Sequence, residues 1–80
     1  MSIRPSLVWA LGEIRATDAV EPLIEALQDA AGQVRSQAAK ALGDIGDARA
    51  VAALEHALED DFVDVRQLAE WSLEQIRNKR

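Results

Sequence analysis

The sequence has no cysteine, two prolines, one histidine and, as aromatic residues, only two tryptophans and one phenylalanine. Without cysteine the chain forms no disulfide, performs no thiolate catalysis and builds no metal site on sulfur ligands. No uncharged run approaches the roughly 20 residues that span a bilayer, and the N-terminus lacks the apolar core of a signal peptide. These absences predict a cytoplasmic protein with no membrane partner.

Alanine, leucine and acidic side chains make up much of what is present. Hydrophobic residues account for 49% of the chain and charged residues for 29%, which is too apolar for a disordered protein and too charged for a membrane protein. The net charge of −5 disfavours phosphate backbones and anionic lipid, so we expect no nucleic-acid partner. The length of 80 residues predicts one small domain over residues 1–80.

The chain repeats itself with an offset of 31 residues and no gaps. Residues 3–33 and 34–64 share eleven identities in this register, and residues 65–77 continue it as a half repeat. The half repeat keeps five of the positions of the second copy, namely Val65, Arg66, Ala69, Leu73 and Ile76. The chain is therefore two and a half copies of one unit.

Apolar residues recur at steps of three and four twice within each unit, which is the spacing of a helix pair. This spacing predicts five helices, at about 4–14, 19–28, 34–44, 50–59 and 65–77. No stretch alternates as a strand does over more than a few residues.

Glycine and aspartate mark the turn between the two helices of a unit. Gly43 and Gly46 can end the first helix, because glycine tolerates positive φ. Asp44 and Asp47 can accept the free amides at the start of the second helix. One such pair cannot bury its own apolar stripe, so the units must stack. We predict an all-α superhelix, a solenoid of two and a half 31-residue helix pairs with outer and inner helices.

The pattern of the second unit resembles a known family. It consists of Val34-Arg35, Ala38 to Asp47, Ala50-Val51, Leu54, Ala57-Leu58 and Asp60. This pattern is similar to the HEAT-like repeat of the phycobilisome-lyase type and to designed consensus proteins of that repeat. The resemblance covers essentially the whole chain. It implies a non-catalytic scaffold that binds proteins, with a fragment of a bilin-lyase-like, chromophore-handling protein as the alternative.

Metal and cofactor chemistry has no support in the sequence. Related di-iron hydroxylases bind metal through His-Glu pairs on outer helices, and the matching positions here are Gln37-Ala38 and Leu68-Ala69. The lone His56 is expected to be a surface residue, and the acidic run Glu59–Asp64 lacks the spacing of a calcium loop. We therefore expect no cofactor, no metal and no enzymatic activity.

The inner helices are expected to expose one face, which we call the inner-helix face. The resemblance implies that partners dock there, on the concave side of the stack. Ile24 stands where the second unit has Glu55, so an apolar position lies among carboxylates and suits a basic and apolar partner surface. A merely solvated acidic face is the alternative. The residues of this face are Glu21, Ile24, Glu25, Gln28, Ala52, Glu55, His56 and Glu59.

Arginine recurs in register at Arg4, Arg35 and Arg66 and predicts a ladder along the stack. We expect these side chains to pair with turn carboxylates such as Asp29 or Asp60 and with carbonyls at helix ends. A phosphate-binding stripe is the alternative, and the acidic net charge counts against it.

The two tryptophans, Trp9 and Trp71, align with Lys40 of the middle unit. Two large rings at a position otherwise given to lysine must contact something, either the chain's own ends as caps or a second molecule. The first helix is apolar nearly all round, so another copy of the chain or a longer solenoid is expected to cover it. The sequence thus predicts a homodimer, or part of a longer solenoid, with self-association through Ile3, Leu7, Val8, Trp9 and Trp71.

The last helix differs from the equivalent helix before it. Glu70 replaces Ala39 and Glu74 replaces Gly43, at positions where a following unit would pack. Terminal repeats need such a polar surface for solubility, so we expect this end of the stack to be closed.

Overall fold

The computed structural model describes residues 16–78, with side chains from Asp18 onward, and shows α-helices joined by short turns. No strand occurs between residues 16 and 78. The all-α prediction is therefore confirmed for this part of the chain. In chain order the elements are α1 (Ala16–Ala26), α2 (Gly32–Ile45), a 3-10 turn (Ala48–Ala50), α3 (Val51–Ala57) and α4 (Val63–Asn78).

Four of the five predicted helices fall in the described part and are present. Those predicted at 19–28, 34–44 and 65–77 correspond to α1, α2 and α4. The helix predicted at 50–59 corresponds to the 3-10 turn followed by α3. The first predicted helix, at 4–14, lies outside the described residues.

Helices α2 and α4 begin two residues before their predicted starts because the turns ahead of them are tight. In the first turn, Oδ1 of Asp29 accepts the backbone N–H of Ala31 at 2.9 Å. In the second, Oδ1 of Asp60 accepts the backbone N–H of Phe62 at 2.8 Å. An aspartate that bonds the amide two residues on stands in for a backbone acceptor, so the next helix can start at once.

Gly46 and Asp47 end α2 and lead into the 3-10 turn, as predicted. Gly46 has φ of 76°, in the left-handed region that favours glycine, and its N–H donates to the Leu42 carbonyl at 2.9 Å. Oδ1 of Asp47 then accepts the backbone N–H of Arg49 at 2.8 Å. These two residues supply the stop and the cap of the turn.

The helices pack in the order expected of stacked pairs. Helix α2 makes its largest contact with α4, while α1 packs on α2 and α3 packs on α4. Every helix contributes to one buried cluster, in which small alanines alternate with larger side chains. The fully buried apolar residues are Val20, Ala39, Leu42, Ala50, Leu54, Val65 and Ala69.

The close approach of α2 and α4 depends on Gly43, which is buried inside α2. The prediction that Gly43 ends the helix is therefore wrong. A Cβ at this position would lie 2.7 Å from Cζ3 of Trp71 and 2.8 Å from Cα of Ser72. The fully buried Ser72 hydroxyl donates to the Ala39 carbonyl, one turn away on α2. Small residues on α2 thus let the backbone of α4 come close enough for this hydrogen bond.

Trp71 is partly buried against its own chain. Its ring lies over Gly43, and Nζ of Lys40 is 5.8 Å from the ring centroid, within cation–π range. Neither role predicted for the tryptophans, capping by the chain's own ends or contact with a second molecule, describes this contact of Trp71, which lies on the neighbouring helix α2. Trp9 lies outside the described residues.

We expect Gly43→Ala to lower the free energy of unfolding by about 1–3 kcal/mol, as overpacking a close helix contact does. The loss should appear although alanine has the higher helix propensity, because the obstructing atoms include the Ser72 backbone. Urea unfolding followed by circular dichroism measures the change.

Gly32→Ala is the matched control. The three atoms nearest its Cβ would all belong to the Phe62 ring, at 2.6–2.7 Å, and Phe62 is 44% exposed, so its side chain has room to turn outward. The control should therefore lose less stability than Gly43→Ala. An equal loss in the two variants would contradict the role given to the Gly43 contact.

Candidate functional site

A groove of about 480 Å³ opens where the C-terminal ends of α1 and α3 meet the turns that follow them. Its walls combine small apolar side chains with several carboxylates. The lining residues are Leu27, Gln28, Asp29, Arg35, Ala53, His56, Ala57, Glu59, Asp60 and Asp61.

A bidentate ion pair between Arg35 and Asp60 lies at this groove. Nε of Arg35 donates to Oδ2 of Asp60 at 2.8 Å, and Nη2 donates to Oδ1 at 3.0 Å. Nη1 of the same guanidinium donates to the carbonyls of Asp29 at 2.7 Å and Ala30 at 3.1 Å. The two side chains are 18% and 14% exposed. One guanidinium thus joins the turn after α1, the helix α2 and the turn after α3.

The ion pair shifts the titration of both partners. The hydrogen bond from Arg35 lowers the pKa of Asp60, against the opposite effect of partial burial, and the Phe62 N–H lowers it further. The hydrogen bond to Asp60 in turn raises the pKa of Arg35. Asp60 is therefore ionised at neutral pH, and its charge is balanced by the guanidinium.

Arg66 repeats part of the Arg35 arrangement. Its Nη1 donates to the carbonyl of Asp60 at 2.7 Å and to that of Asp61 at 3.3 Å. These are the carbonyls six and five residues before it, as for Arg35. The predicted pairing with turn carbonyls is confirmed for Arg35 and Arg66, and the predicted pairing with a turn carboxylate is confirmed for Arg35 alone. Arg4 lies outside the described residues.

The inner-helix face lies at the surface, with one exception. Ile24 is partly buried and packs against the core cluster, so it offers less apolar surface than the sequence suggested. A side chain at the border of the core-facing side of a helix can pack inward when a neighbouring helix covers it. The sequence pattern does not show which border positions are covered. The exposed members are Glu21, Glu25, Gln28, Ala52, Glu55, His56 and Glu59.

The groove brings together only part of the predicted face. Gln28, His56 and Glu59 line it. Glu21 lies elsewhere, with its Oε2 at 3.7 Å from Nη1 of Arg49. The position of Arg35 in this groove was not predicted from the sequence, although the aspartate that recurs after each inner helix indicates a carboxylate partner for it.

No three histidine, aspartate or glutamate side chains converge on a possible metal position in the part of the chain that the structure describes. The carboxylate of Asp60, within the acidic run, is bound by Arg35. Among residues 16–78, no helix is both long enough and apolar enough to cross a membrane.

The predicted self-association surface can be located only in part. Ile3, Leu7, Val8 and Trp9 lie outside the described residues. Trp71, its fifth member, packs on Gly43 of its own chain and leaves part of its ring exposed.

The sequence profile of one protein family, HEAT repeats, matches residues 2–74. The matched range includes α1, α2 and α3 and most of α4. The match does not distinguish the phycobilisome-lyase type from other HEAT repeats, so that subtype stays a prediction. No curated protein matches the chain in sequence.

Because Arg35 and Asp60 form an ion pair in the folded state, we expect the folded protein to lose stability in acid. The folded-state pKa of Asp60 is below the ordinary value of 3.8, so the pair stabilises the fold above that value. This contribution disappears as the pH falls through the lower folded-state pKa. Asp60→Asn should therefore be less stable than the parent at neutral pH and should lose less stability on acidification, as measured by urea unfolding at a series of pH values.

Arg35→Gln is the matched variant, because it removes the largest cause of the lowered Asp60 pKa and keeps the carboxylate, to which the Phe62 N–H still donates. It should flatten the pH dependence in the same way. Some dependence should remain in both variants, because the hydrogen bonds of Arg49 also lower the pKa of Asp47. A pH profile as steep as that of the parent in both variants would contradict the assignment.

Proposed function

Because the chain belongs to the HEAT repeats family, we propose that it is a non-catalytic interaction module that binds a protein partner on its inner-helix face. HEAT repeats commonly mediate protein–protein interaction, and stacked helical repeats present extended binding surfaces. The observation that carries the proposal is the groove between the ends of α1 and α3.

The charge at the groove supports a basic partner. Arg35, the one lysine or arginine among the lining residues, is already paired with Asp60. The carboxylates of Asp29, Glu59 and Asp61 therefore leave the groove acidic. A basic surface would approach this face with favourable long-range attraction.

The small apolar residues in the same groove support contact with apolar side chains as well. Leu27, Ala53 and Ala57 form this part of the lining. They are flanked by the exposed His56 and Glu59. An apolar centre with a polar rim is the common arrangement of protein interfaces, so a segment carrying both lysine and leucine fits best.

The same features underlie two negative proposals. We propose that the chain is not an enzyme and that it does not bind nucleic acid. An acidic groove repels a phosphate backbone, because binding requires lysine and arginine to replace condensed counterions. Arg35, the arginine that lines the groove, is paired with the carboxylate of Asp60.

A short synthetic helix of lysine, leucine and alanine is a suitable probe. We expect the labelled peptide to bind the protein in a fluorescence anisotropy titration and to bind less tightly as salt is raised. Changing Glu25 and Glu59 together to lysine should weaken binding by about tenfold or more, because the attraction at the face becomes repulsion.

Glu70→Lys combined with Glu74→Lys is the matched control, because it changes the net charge by the same amount on an exposed face of α4. This control should bind the peptide nearly as well as the parent. If both double variants lose affinity equally, binding depends only on net charge and the inner-helix face is not the site.

We also propose self-association through the N-terminal end, as predicted from Ile3, Leu7, Val8 and Trp9. Its support is the apolar character of this segment in the sequence and the marginal core of so small a domain. Light scattering over a dilution series should show a dimer at micromolar concentration that Trp9→Lys weakens. A monomer at every concentration would contradict the proposal.

A further inference from the structure

The two leucines at equivalent positions of the two units differ in exposure. Leu27, at the end of α1, is 8% exposed, whereas Leu58, at the end of α3, is 37% exposed. Leu27 lines the groove together with Ala53 and Ala57 of the next inner helix. Among the described residues, no further inner helix follows α3. Leu58 therefore forms an uncovered apolar edge at the end of α3.

Arg35 and Arg66, at equivalent positions, also differ in whether a carboxylate binds the guanidinium. Arg35 uses Nη1 for turn carbonyls of the preceding unit, and its Nε and Nη2 then hold the carboxylate of Asp60, in the turn after the inner helix of its own unit. Arg66 uses Nη1 in the same way. Within residues 18–78, its Nε and Nη2 have no hydrogen-bond partner, and the side chain is exposed. Arg66 is thus held by its carbonyl contacts as Arg35 is, with the carboxylate-binding side open.

A complete further helix pair does not suit this end of the stack. On α2, Ser36, Ala39 and Gly43 are buried, which lets α4 approach. Their equivalents on α4 are Gln67, Glu70 and Glu74, and all three are exposed. Packing another outer helix against them would bury two carboxylates. This end of the stack is predicted from the sequence to be closed, and these exposed polar residues suit that prediction in the outer layer. Beside α3, among the described residues, Leu58 and the guanidinium of Arg66 leave the end open.

We propose that this edge, formed by Leu58 and Arg66, binds a single helix of a partner protein that carries a carboxylate beside small apolar residues. The chain contains the template for such a ligand. Ala53 and Ala57 of α3 line the groove with Leu27, and Asp60, three residues after Ala57, binds Arg35. A partner helix with this spacing would cover Leu58 and place its carboxylate on Nε and Nη2 of Arg66. The edge adjoins the groove, whose lining includes the Asp60 and Asp61 that hold Arg66, and it selects the opposite charge.

A peptide of residues 48–62 tests the proposal, because it carries the template side chains. The full chain, labelled with ¹⁵N and with ¹³C in leucine methyl groups, is titrated with this peptide by nuclear magnetic resonance. We expect saturable shifts of the Arg66 Nε–Hε signal and the Leu58 methyl signals. A peptide with Asp60→Asn should bind about tenfold or more weakly, because the charge-assisted hydrogen bonds are lost.

Variants of the protein distinguish bidentate hydrogen bonding by the Arg66 guanidinium from attraction by its charge alone. Arg66→Gln should weaken peptide binding, and Arg66→Lys should fail to restore it fully, because lysine keeps the charge without the two-pronged donor. Arg66 is exposed, so both variants should keep the circular dichroism spectrum of the parent, and the loss of its bonds to two turn carbonyls should lower the melting temperature only slightly.

Three results would overturn the proposal. The first is the absence of any shift at millimolar peptide. The second is a set of shifts confined to Gln28, His56 and Glu59, which would place the peptide in the inner groove. The third is an Arg66 signal that moves with protein concentration alone, which would make a second copy of the chain the occupant of this edge.

Discussion

The guanidinium of Arg35 holds consecutive units of this protein in register. It takes two carbonyls from the turn that ends the preceding unit and a carboxylate from the turn after the inner helix of its own unit, with donor–acceptor distances of 2.7–3.1 Å. An isolated helix pair leaves its apolar stripe open, so the contact between units decides whether a core forms at all. The fixed relation between the turns also brings α4 onto α2, where Ala39 and Gly43 leave room for its backbone.

The candidate binding groove is a consequence of the same ion pair. Arg35 and Asp60 cancel one another's charge, so the other carboxylates of the groove set its sign. The groove lies at the junction of two units because that is where the inner helices end and their turns converge. Structural and functional roles therefore share residues here, and a change at Arg35 would alter the shape of the groove together with the stability of the stack.

Much of the fold could be predicted because its signals are local. A left-handed glycine and a capping aspartate act within a few residues, and Gly46 and Asp47 behave as their types require. The errors have equally definite causes. Helix α2 starts early because Asp29 shortens the turn before it. Gly43 looked like a turn residue, yet it serves a contact with a helix almost thirty residues later in the sequence.

By itself the sequence determined the 31-residue unit, the helix pairs and the turn chemistry, because each depends on residues close together in the chain. Only the tertiary structure decided which equivalent residues have the same surroundings. Leu27 and Leu58 share one local pattern, yet one is covered and the other open. Arg35 and Arg66 likewise bind carbonyls at equivalent positions, yet among the described residues only Arg35 of these two binds a carboxylate. Burial and pairing depend on the neighbouring unit, which local periodicity does not encode.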